Sequence, residues 1–278
     1  MERVYRVRTR WKYRYNQLCT VPNRLSTPKR PSGSRYNCRR VRRAPLRVTK
    51  SEAVQPTRAA LACRTHSGWA ALVAVAFDPE ATATPRVPVV IDRRRIDLAD
   101  PAIPRPVQPY HQAEKLDFPA AQQLIERAIH DAGAMAEQAL RATADELRGR
   151  GYEVAGCGVL LGSGRPLPAL DAILAAHPLI HTAEGELYRG AIAKAAAKLS
   201  LRVTAVRERE LLAQASKALG LPGGQIEKRI AEMGRALGPP WRQDQKYAAL
   251  VAWMALARHG PMPPMPGPVP PVPRPVIP

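Results

Sequence analysis

Two apolar runs joined by a turn make up the stretch AALACRTHSGWAALVAVAF, residues 59–77. The runs at 59–64 and 69–77 have the length and apolar content of buried strands, and residues 65–68 between them have turn chemistry. A third run at 87–98 follows a loop that contains proline. Consecutive strands with short connections predict an antiparallel meander.

Helical periodicity begins after this meander. Residues 119–148 carry apolar side chains at three- and four-residue spacing, which predicts one long helix with Asp117 as its N-cap. A near-continuous apolar run at 154–161 predicts a strand inside a sheet, and residues 201–206 alternate as an edge or near-edge strand does. Further helices are predicted at 170–176, 183–199, 208–219, 224–235 and 241–257. This succession predicts an α/β fold.

Three short segments give the body a family resemblance. They are CRTHSGW at 63–69, YRGAI at 188–192 and DQKYAAL at 244–250. With the order of strands and helices, they make the body resemble the ribonuclease H-like superfamily, particularly its Holliday-junction-resolvase-like branch. The resemblance covers about 200 residues and implies a mixed five-stranded sheet with helices on both faces.

The resemblance also implies where a nuclease of this family holds its cations. Active members place an acid on the first strand, another near the end of the fourth strand and a third on the last helix, because two divalent cations need several carboxylates. In this sequence the first position falls on Cys63 or Arg64, the second falls near Gly162 or Ser163, and the third is Asp244. We therefore expect a degenerate acidic cluster without the family's nuclease activity.

Positive charge is concentrated ahead of the body. Residues 1–60 carry 17 Lys and Arg against two acids, so +15 of the formal charge of +20 lies there. We expect residues 1–58 to form a disordered basic arm, whose interleaved Arg and Tyr suit salt-dependent, sequence-independent contact with nucleic acid. A solvated extension, a targeting arm or residues upstream of the true start are the alternatives.

A proline-rich segment follows the body. Residues 260–278 contain ten prolines, which favour polyproline II and suit a polyproline-binding partner, with a passive tail as the alternative. The domain division is therefore 1–58, 59–258 and 259–278. No apolar run reaches the length of a membrane span, and no apolar segment follows the first arginines as in a secretory signal. We expect a cytoplasmic protein without membrane contact.

Four residues are candidates for binding an anion. The carboxyl ends of the first and fourth strands are expected to be neighbours, and ligands of open α/β sheets bind where the strand order reverses. This arrangement would bring His66 and Ser67 close to Ser163 and Arg165. Ser163 belongs to a Gly-Ser-Gly turn whose backbone NH groups would face the anion, and Arg165 follows that turn. The alternative is an ordinary turn between a strand and a helix.

Residues 181–186 offer further candidates. Glu184 and Glu186, with Asp244 on the last helix, are candidate catalytic acids and bases, and His181 with Glu184 is a candidate pair of metal ligands. Acids in a first helical turn are also favoured by the helix dipole without any function. Mg²⁺ or Mn²⁺ is expected only if the enzymatic hypothesis holds.

Three functional hypotheses follow from these features. The leading one is a nucleic-acid-associated binding or scaffolding protein. The second is a divergent metal-dependent nuclease or phosphodiesterase that uses Glu184, Glu186 and Asp244, and the third is a small anion- or nucleotide-binding module at 162–165. The sequence contains no Walker loop, strand-linked GxGxxG, nucleophile elbow or HExxH motif, which argues against common nucleotide-binding and hydrolase classes. The four cysteines form no CxxC pair, which favours free, mostly buried thiols.

Overall fold

The computed structural model describes the body in five ranges: 55–78, 86–99, 107–162, 166–235 and 237–258. The basic arm up to residue 54, the proline-rich tail and the turn that contains Ser163 and Arg165 lie outside these described residues. No helix within the described ranges has the length and apolar character needed to cross a membrane.

A five-stranded mixed sheet forms the centre of the body. Its strands are β1 (Thr57–His66), β2 (Trp69–Ala76), β3 (Val89–Asp97), β4 (Tyr152–Leu161) and β5 (Arg202–Arg207). Their order is β3-β2-β1-β4-β5; β1 to β3 pair antiparallel, and β4 pairs parallel to both β1 and β5. This is the mixed five-stranded α/β sheet that the family resemblance implies, with β4 inside the sheet and β5 at its edge.

Helices cover both faces of the sheet. The described residues contain α1 (Pro109–Ala113), α2 (Phe118–Gly149), α3 (Leu170–Leu174), α4 (His177–Lys198), α5 (Leu211–Leu219), α6 (Gly223–Arg235) and α7 (Gln243–Arg258). One apolar core lies between the sheet and α2 and α4, and a second lies between the sheet and α5, α6 and α7. A 3₁₀ turn at Glu208–Glu210 connects β5 to α5.

The pleat of β1 divides its side chains between the two cores. Leu61 and Cys63 belong to the core under α2 and α4, whereas Ala60 and Ala62 belong to the core under α7. This alternation follows from the two-residue period of a strand. Arg64 and His66 continue the series of Ala60 and Ala62, so their side chains emerge on the α7 side at the carboxyl end of β1.

Gly158 on β4 determines how closely α7 approaches the sheet. A Cβ at this position would lie 2.9 Å from the Ala62 Cβ and 3.2 Å from the Val251 carbonyl carbon, and would overlap the Val251 side chain. A glycine is therefore required for α7 to pack directly on β4. Residues 248–256 of α7 are all buried, as their apolar sequence predicts.

Helix α4 begins six residues before its predicted start. The prediction placed the start at residue 183, but the helix begins at His177 with Pro178 in its first turn. Proline suits this position because an amide there has no intrahelical partner to lose. His181, Glu184 and Glu186 therefore lie beyond the first turn, and the explanation of these acids by the helix dipole is wrong.

Other predicted features agree more closely. The Asp117 carboxylate caps α2 by accepting a hydrogen bond from the Ala120 amide at 2.9 Å, which confirms the predicted N-cap. Cys63 and Cys157 are free and buried, as predicted.

The last predicted helix begins two residues later than expected. Trp241, its predicted start, lies before α7 and donates its Nε1–H to the Ile230 carbonyl at 2.9 Å.

Candidate functional site

Arg64, near the carboxyl end of β1, joins two acids from other parts of the fold. Its guanidinium donates through Nη1 to Asp244 on α7 and through Nη2 to Glu208 at 2.9 Å. Glu208 opens the 3₁₀ turn after β5. The Arg64 side chain is only 18% exposed, so both ion pairs are partly shielded from water. The guanidinium of Arg64 therefore pairs with carboxylates from two different elements of the fold.

Asp244 has a second partner on β1. His66 Nε2 lies 3.0 Å from Asp244 Oδ1, the oxygen that Arg64 also contacts. Burial alone would raise the pKa of Asp244, but the hydrogen bonds from His66 and Arg64 outweigh it and hold that pKa below its usual value. Asp244 is therefore an ionised carboxylate at neutral pH.

An aromatic stack supports His66 from the other side of the β1–β2 turn. The His66 ring lies on Trp69, with centroids 4.3 Å apart and planes at 12°. The Arg95 Cζ on β3 lies 4.4 Å from the centroid of the Trp69 ring. These three residues come from adjacent strands, so the sheet itself fixes the orientation of the imidazole that contacts Asp244.

Glu184 is a buried carboxyl group in α4, with 4% of the residue exposed. Its Oε1 accepts hydrogen bonds from the Tyr110 amide at 2.8 Å and the His111 amide at 3.2 Å, and lies 3.3 Å from His111 Nδ1. Its Oε2 is buried without a hydrogen-bond partner among the described residues. Burial raises the pKa of Glu184, although His111 and the two amides oppose this effect. Such a group is suited to holding a proton or a ligand.

Three histidines form a cluster beside Glu184. One ring nitrogen from each of His111, His177 and His181 lies within 4.8 Å of the other two. His177 Nε2 and His181 Nε2 are 3.1 Å apart on successive turns of α4, while His111 belongs to α1. The cluster therefore spans α1 and α4, the two helices that the hydrogen bonds of Glu184 connect.

A cavity of about 250 Å³ lies beside His181 and Glu184. Its walls come from the β1–β2 turn, the segment before α1, and α4: Thr65, His66, Ser67, Gln108, His181, Glu184, Gly185 and Arg189. The cavity brings together four residues that the sequence analysis selected, His66 and Ser67 from the turn with His181 and Glu184 from α4. Asp244 is connected to it through His66.

Arg189 on α4 lies close to the end of β4. Its Nη1 donates to Glu186 at 3.2 Å, and a Cβ on Gly162 would lie 2.8 Å from that Nη1 and 3.1 Å from Glu186 Oε1. The Glu186–Arg189 ion pair therefore fills the space where a side chain at 162 would project. A guanidinium thus lies next to one of the two positions at which the resemblance implies the second acid.

Part of the predicted site falls outside the described residues. Ser163 and Arg165 belong to this part, so their contribution to an anion site stays a prediction. The catalytic roles of Glu184, Glu186 and Asp244 also stay predictions, as does metal ligation by His181 and Glu184. What the geometry adds is that Glu186 is paired with Arg189 and that Asp244 is paired with Arg64 and His66.

The sequence analysis did not select Arg64, His111 or His177 as site residues. The segment HPLIH at 177–181 carried a usable signal, because histidines four residues apart share one face of a helix. That signal was missed since the helix was predicted to begin at 183. Arg64 and His111 contact acids 180 and 73 positions away, and no local pattern announces such contacts.

A larger groove of about 540 Å³ lies among α5, α6 and α7. Leu212, Ile226 and Leu250 contribute its apolar surface, and Glu208 and Lys246 contribute charge. None of the histidines or of the predicted catalytic acids lines it. The smaller cavity is therefore the candidate functional site.

Comparison with known proteins gives similarity at the level of structure. No protein-family model matches the sequence, and no curated protein matches it significantly. The structure of Thermus thermophilus RuvC is similar with a TM-score of 0.40 and 14% identity, over 73% of this chain and 95% of that chain. T. thermophilus RuvC in complex with a Holliday junction substrate gives a TM-score of 0.38 and 14% identity, over 73% and 96%. Similarity of this size carries no argument about fold or activity, and the α/β fold of this chain rests on its own strand order and pairing.

Proposed function

We propose that this chain is a nucleic-acid-associated binding protein whose ribonuclease H-like domain does not use the two-cation chemistry of its fold. The observation that carries the proposal is the ion pair between Arg64 and Asp244. One alignment with the family places the first metal-binding carboxylate at Arg64, and this guanidinium engages Asp244, the one acid retained. Arg64, which would repel a metal cation, therefore neutralises Asp244, the carboxylate that would bind one.

The charge balance around the site supports this proposal. Two divalent cations bring four positive charges and need several carboxylates to offset them. Here Arg64 and Arg189 already contribute positive charge at the ends of β1 and β4, and Asp244, Glu208 and Glu186 are each paired with one of them. Like unit charges about 4 Å apart repel by about 4 kcal/mol at an effective dielectric constant of 20. This repulsion disfavours the assembly of a two-cation centre.

The binding part of the proposal rests on the charge of the arm. Residues 1–60 carry +15, and each Lys or Arg that contacts a phosphate makes the slope of log K against log salt more negative by about 0.9. Contacts of this kind are independent of base sequence. We therefore expect affinity for single- and double-stranded DNA that falls steeply as salt rises.

Filter binding of the full-length chain at several salt concentrations tests this expectation. Replacing Arg39, Arg40 and Arg42 by Gln should weaken binding and reduce the magnitude of the salt slope by up to about 3. A matched control replaces Arg127, Arg141 and Arg148, all exposed on α2, by Gln and should leave the slope unchanged. If the two triple variants showed the same change in DNA affinity and in salt slope, the arm would have no specific part in binding.

A cleavage assay separates this function from the enzymatic alternative. With Mg²⁺ or Mn²⁺ and a branched DNA or an RNA–DNA hybrid, we expect no cleavage. Cation-dependent cleavage that disappears in Asp244→Asn and in Glu184→Gln would instead support a divergent nuclease, and cleavage unaffected by Asp244→Asn would exclude a role for that acid. Calorimetric binding of phosphate or nucleotides that is lost in His66→Ala would support the anion-binding module.

A further inference from the structure

The three-histidine cluster has the spacing of a metal site. In a tetrahedral zinc site, bonds of 2.0–2.1 Å hold two ligand nitrogens about 3.3 Å apart. His177 Nε2 and His181 Nε2 are 3.1 Å apart, so this pair is already close to the ligating distance. All three candidate ligand atoms lie within 4.8 Å of one another. Bound transition metals are most often held by imidazole of this kind.

The backbone explains why these rings converge. His177 and His181 are four residues apart on α4 and therefore share one face of the helix. His111 arrives from α1, a short helix whose Tyr110 and His111 amides donate to Glu184 on the same α4. The three rings meet edge to face, with centroids 4.6 to 5.3 Å apart. Glu184 thus holds the third ring against the other two.

Glu184 also selects the nitrogen of His111 that is left for a metal. The Nδ1 of His111 lies 3.3 Å from Glu184 Oε1, and a hydrogen bond from the ring to the ionised carboxylate requires a proton on Nδ1. The lone pair is then on Nε2. Metal-binding histidines commonly donate their other ring NH to a carboxylate, which fixes the tautomer and the ring orientation. Glu184 and His111 have this relationship.

We propose that His111, His177 and His181 bind one divalent transition-metal ion of the class that prefers imidazole, foremost Zn²⁺, with Glu184 orienting His111. The site is separate from the acidic positions implied by the family, because it uses three neutral imidazoles from α1 and α4 and does not use Asp244. Soft and borderline ions favour such ligands, whereas Mg²⁺ favours carboxylate and water oxygens.

The arrangement leaves one coordination position for an oxygen ligand. Three protein ligands plus one exchangeable ligand is the composition of catalytic zinc sites, while structural sites use four protein ligands. His181 lines the cavity of about 250 Å³ together with His66 and Arg189. An ion held by His181 would therefore lie at the edge of this cavity, near groups that donate hydrogen bonds and positive charge.

Direct metal binding tests this proposal without any assay of nucleic acid or activity. The probe is ZnCl₂ titrated by calorimetry into the untagged full-length chain after removal of metal, with Co²⁺ absorption as a second measurement. We expect one ion per chain and a tetrahedral Co²⁺ spectrum. The double variant His177→Ala, His181→Ala should lose at least about 100-fold in affinity, and Glu184→Gln should lose about 10- to 100-fold.

Two controls keep the outcome interpretable. His130 is an exposed histidine on α2 with an 82% exposed side chain, so His130→Ala should bind Zn²⁺ like the unaltered chain. Asp244→Asn should also bind Zn²⁺ normally, which distinguishes this site from an acidic cluster. If the unaltered chain binds no Zn²⁺, or if the double histidine variant retains its stoichiometry and affinity, the proposal is overturned whether or not the chain binds DNA.

Discussion

Arg64 Nη1 donates to the Asp244 carboxylate across 180 positions of sequence and so joins the central strand to the last helix. The same guanidinium holds Glu208 at the start of the 3₁₀ turn. Arg64, one of the two strand positions that the family resemblance associates with a metal ligand, is thus used here for a structural ion pair between β1, α7 and the segment after β5.

The Asp244 carboxylate should stabilise the fold in a pH-dependent manner. Its pKa in the folded chain lies below the usual value, so its contribution is fully present above the unfolded pKa of about 3.9 and is lost as the pH falls through the folded pKa. We expect Asp244→Asn to lower the free energy of unfolding by about 1–2 kcal/mol at pH 7, with a smaller difference below about pH 4.

Chemical denaturation across this pH range measures that effect. Asp97→Asn is a matched control, because Asp97 pairs with Arg95 on the surface and both side chains are about half exposed or more. Exposed pairs contribute about 0–1 kcal/mol. A difference between Asp244→Asn and the unaltered chain that stays constant down to acidic pH would contradict the role of the ionised carboxylate.

Reversing the charge at residue 64 should create a cation site. Arg64→Asp would place a third carboxylate beside Asp244 and Glu208, and we expect this variant to be destabilised without metal and to recover stability with Mg²⁺. A ligand at 100 times its Kd stabilises a fold by about 2.7 kcal/mol. Thermal unfolding with and without Mg²⁺ measures the recovery.

Arg64→Gln provides the comparison for that experiment. It removes the guanidinium without adding a carboxylate, so we expect destabilisation without a response to Mg²⁺. Equal responses of Arg64→Asp and Arg64→Gln to Mg²⁺ would show that the recovery does not depend on the acid at residue 64.

Glu184 should matter for stability as an acceptor rather than as a charge. Glu184→Leu would leave the Tyr110 and His111 amides without their acceptor, and each buried donor without a partner costs about 1–3 kcal/mol. We expect a loss of about 2–4 kcal/mol in urea unfolding, and a smaller loss for Glu184→Gln, which keeps an acceptor oxygen. The control is Glu186→Leu, which removes an ion pair whose side chains are 28% and 25% exposed and should cost about 1 kcal/mol or less.

Gly158 should not tolerate a side chain. Gly158→Ala places a methyl group against Val251 and Ala62, and overpacking of this kind costs about 1–3 kcal/mol or more. Val251→Ala should relieve part of the cost, so the two substitutions should couple favourably in a double-mutant cycle. Gly133→Ala on α2, where an added Cβ meets nothing within 4 Å, should instead stabilise the fold by about 0.5–1 kcal/mol.

The individual strands and helices could be predicted because their signals are local. The apolar runs around residues 65–68 identify two strands and their turn, and the succession of strands and helices predicts an α/β fold, whereas the mixed five-stranded sheet was implied by the family resemblance. The Asp117 cap was also predictable, since capping acts within three residues. These features depend on neighbours in the chain, which a single sequence displays directly.

The candidate site was only partly predictable because most of its contacts are between distant segments. His66, Ser67, His181 and Glu184 were selected individually, and the structure places them around one cavity. The histidine cluster was not predicted, because the helix was predicted to begin at residue 183, whereas it begins at His177 with Pro178 in its first turn. The pairing of Arg64 with Asp244 depends on the packing of α7, which no local pattern encodes.

The two sides of the cavity should differ in how readily their backbones open. β1 lies between β2 and β4 and is hydrogen-bonded to both, so its amide hydrogens should exchange with solvent only when the whole domain unfolds. α1 is five residues long, and its Tyr110 and His111 amides depend on a single carboxylate oxygen of α4. Those amides should exchange through a local opening of lower free energy. His66 therefore belongs to a fixed side of the site, and His111 belongs to a side that can open without loss of the fold.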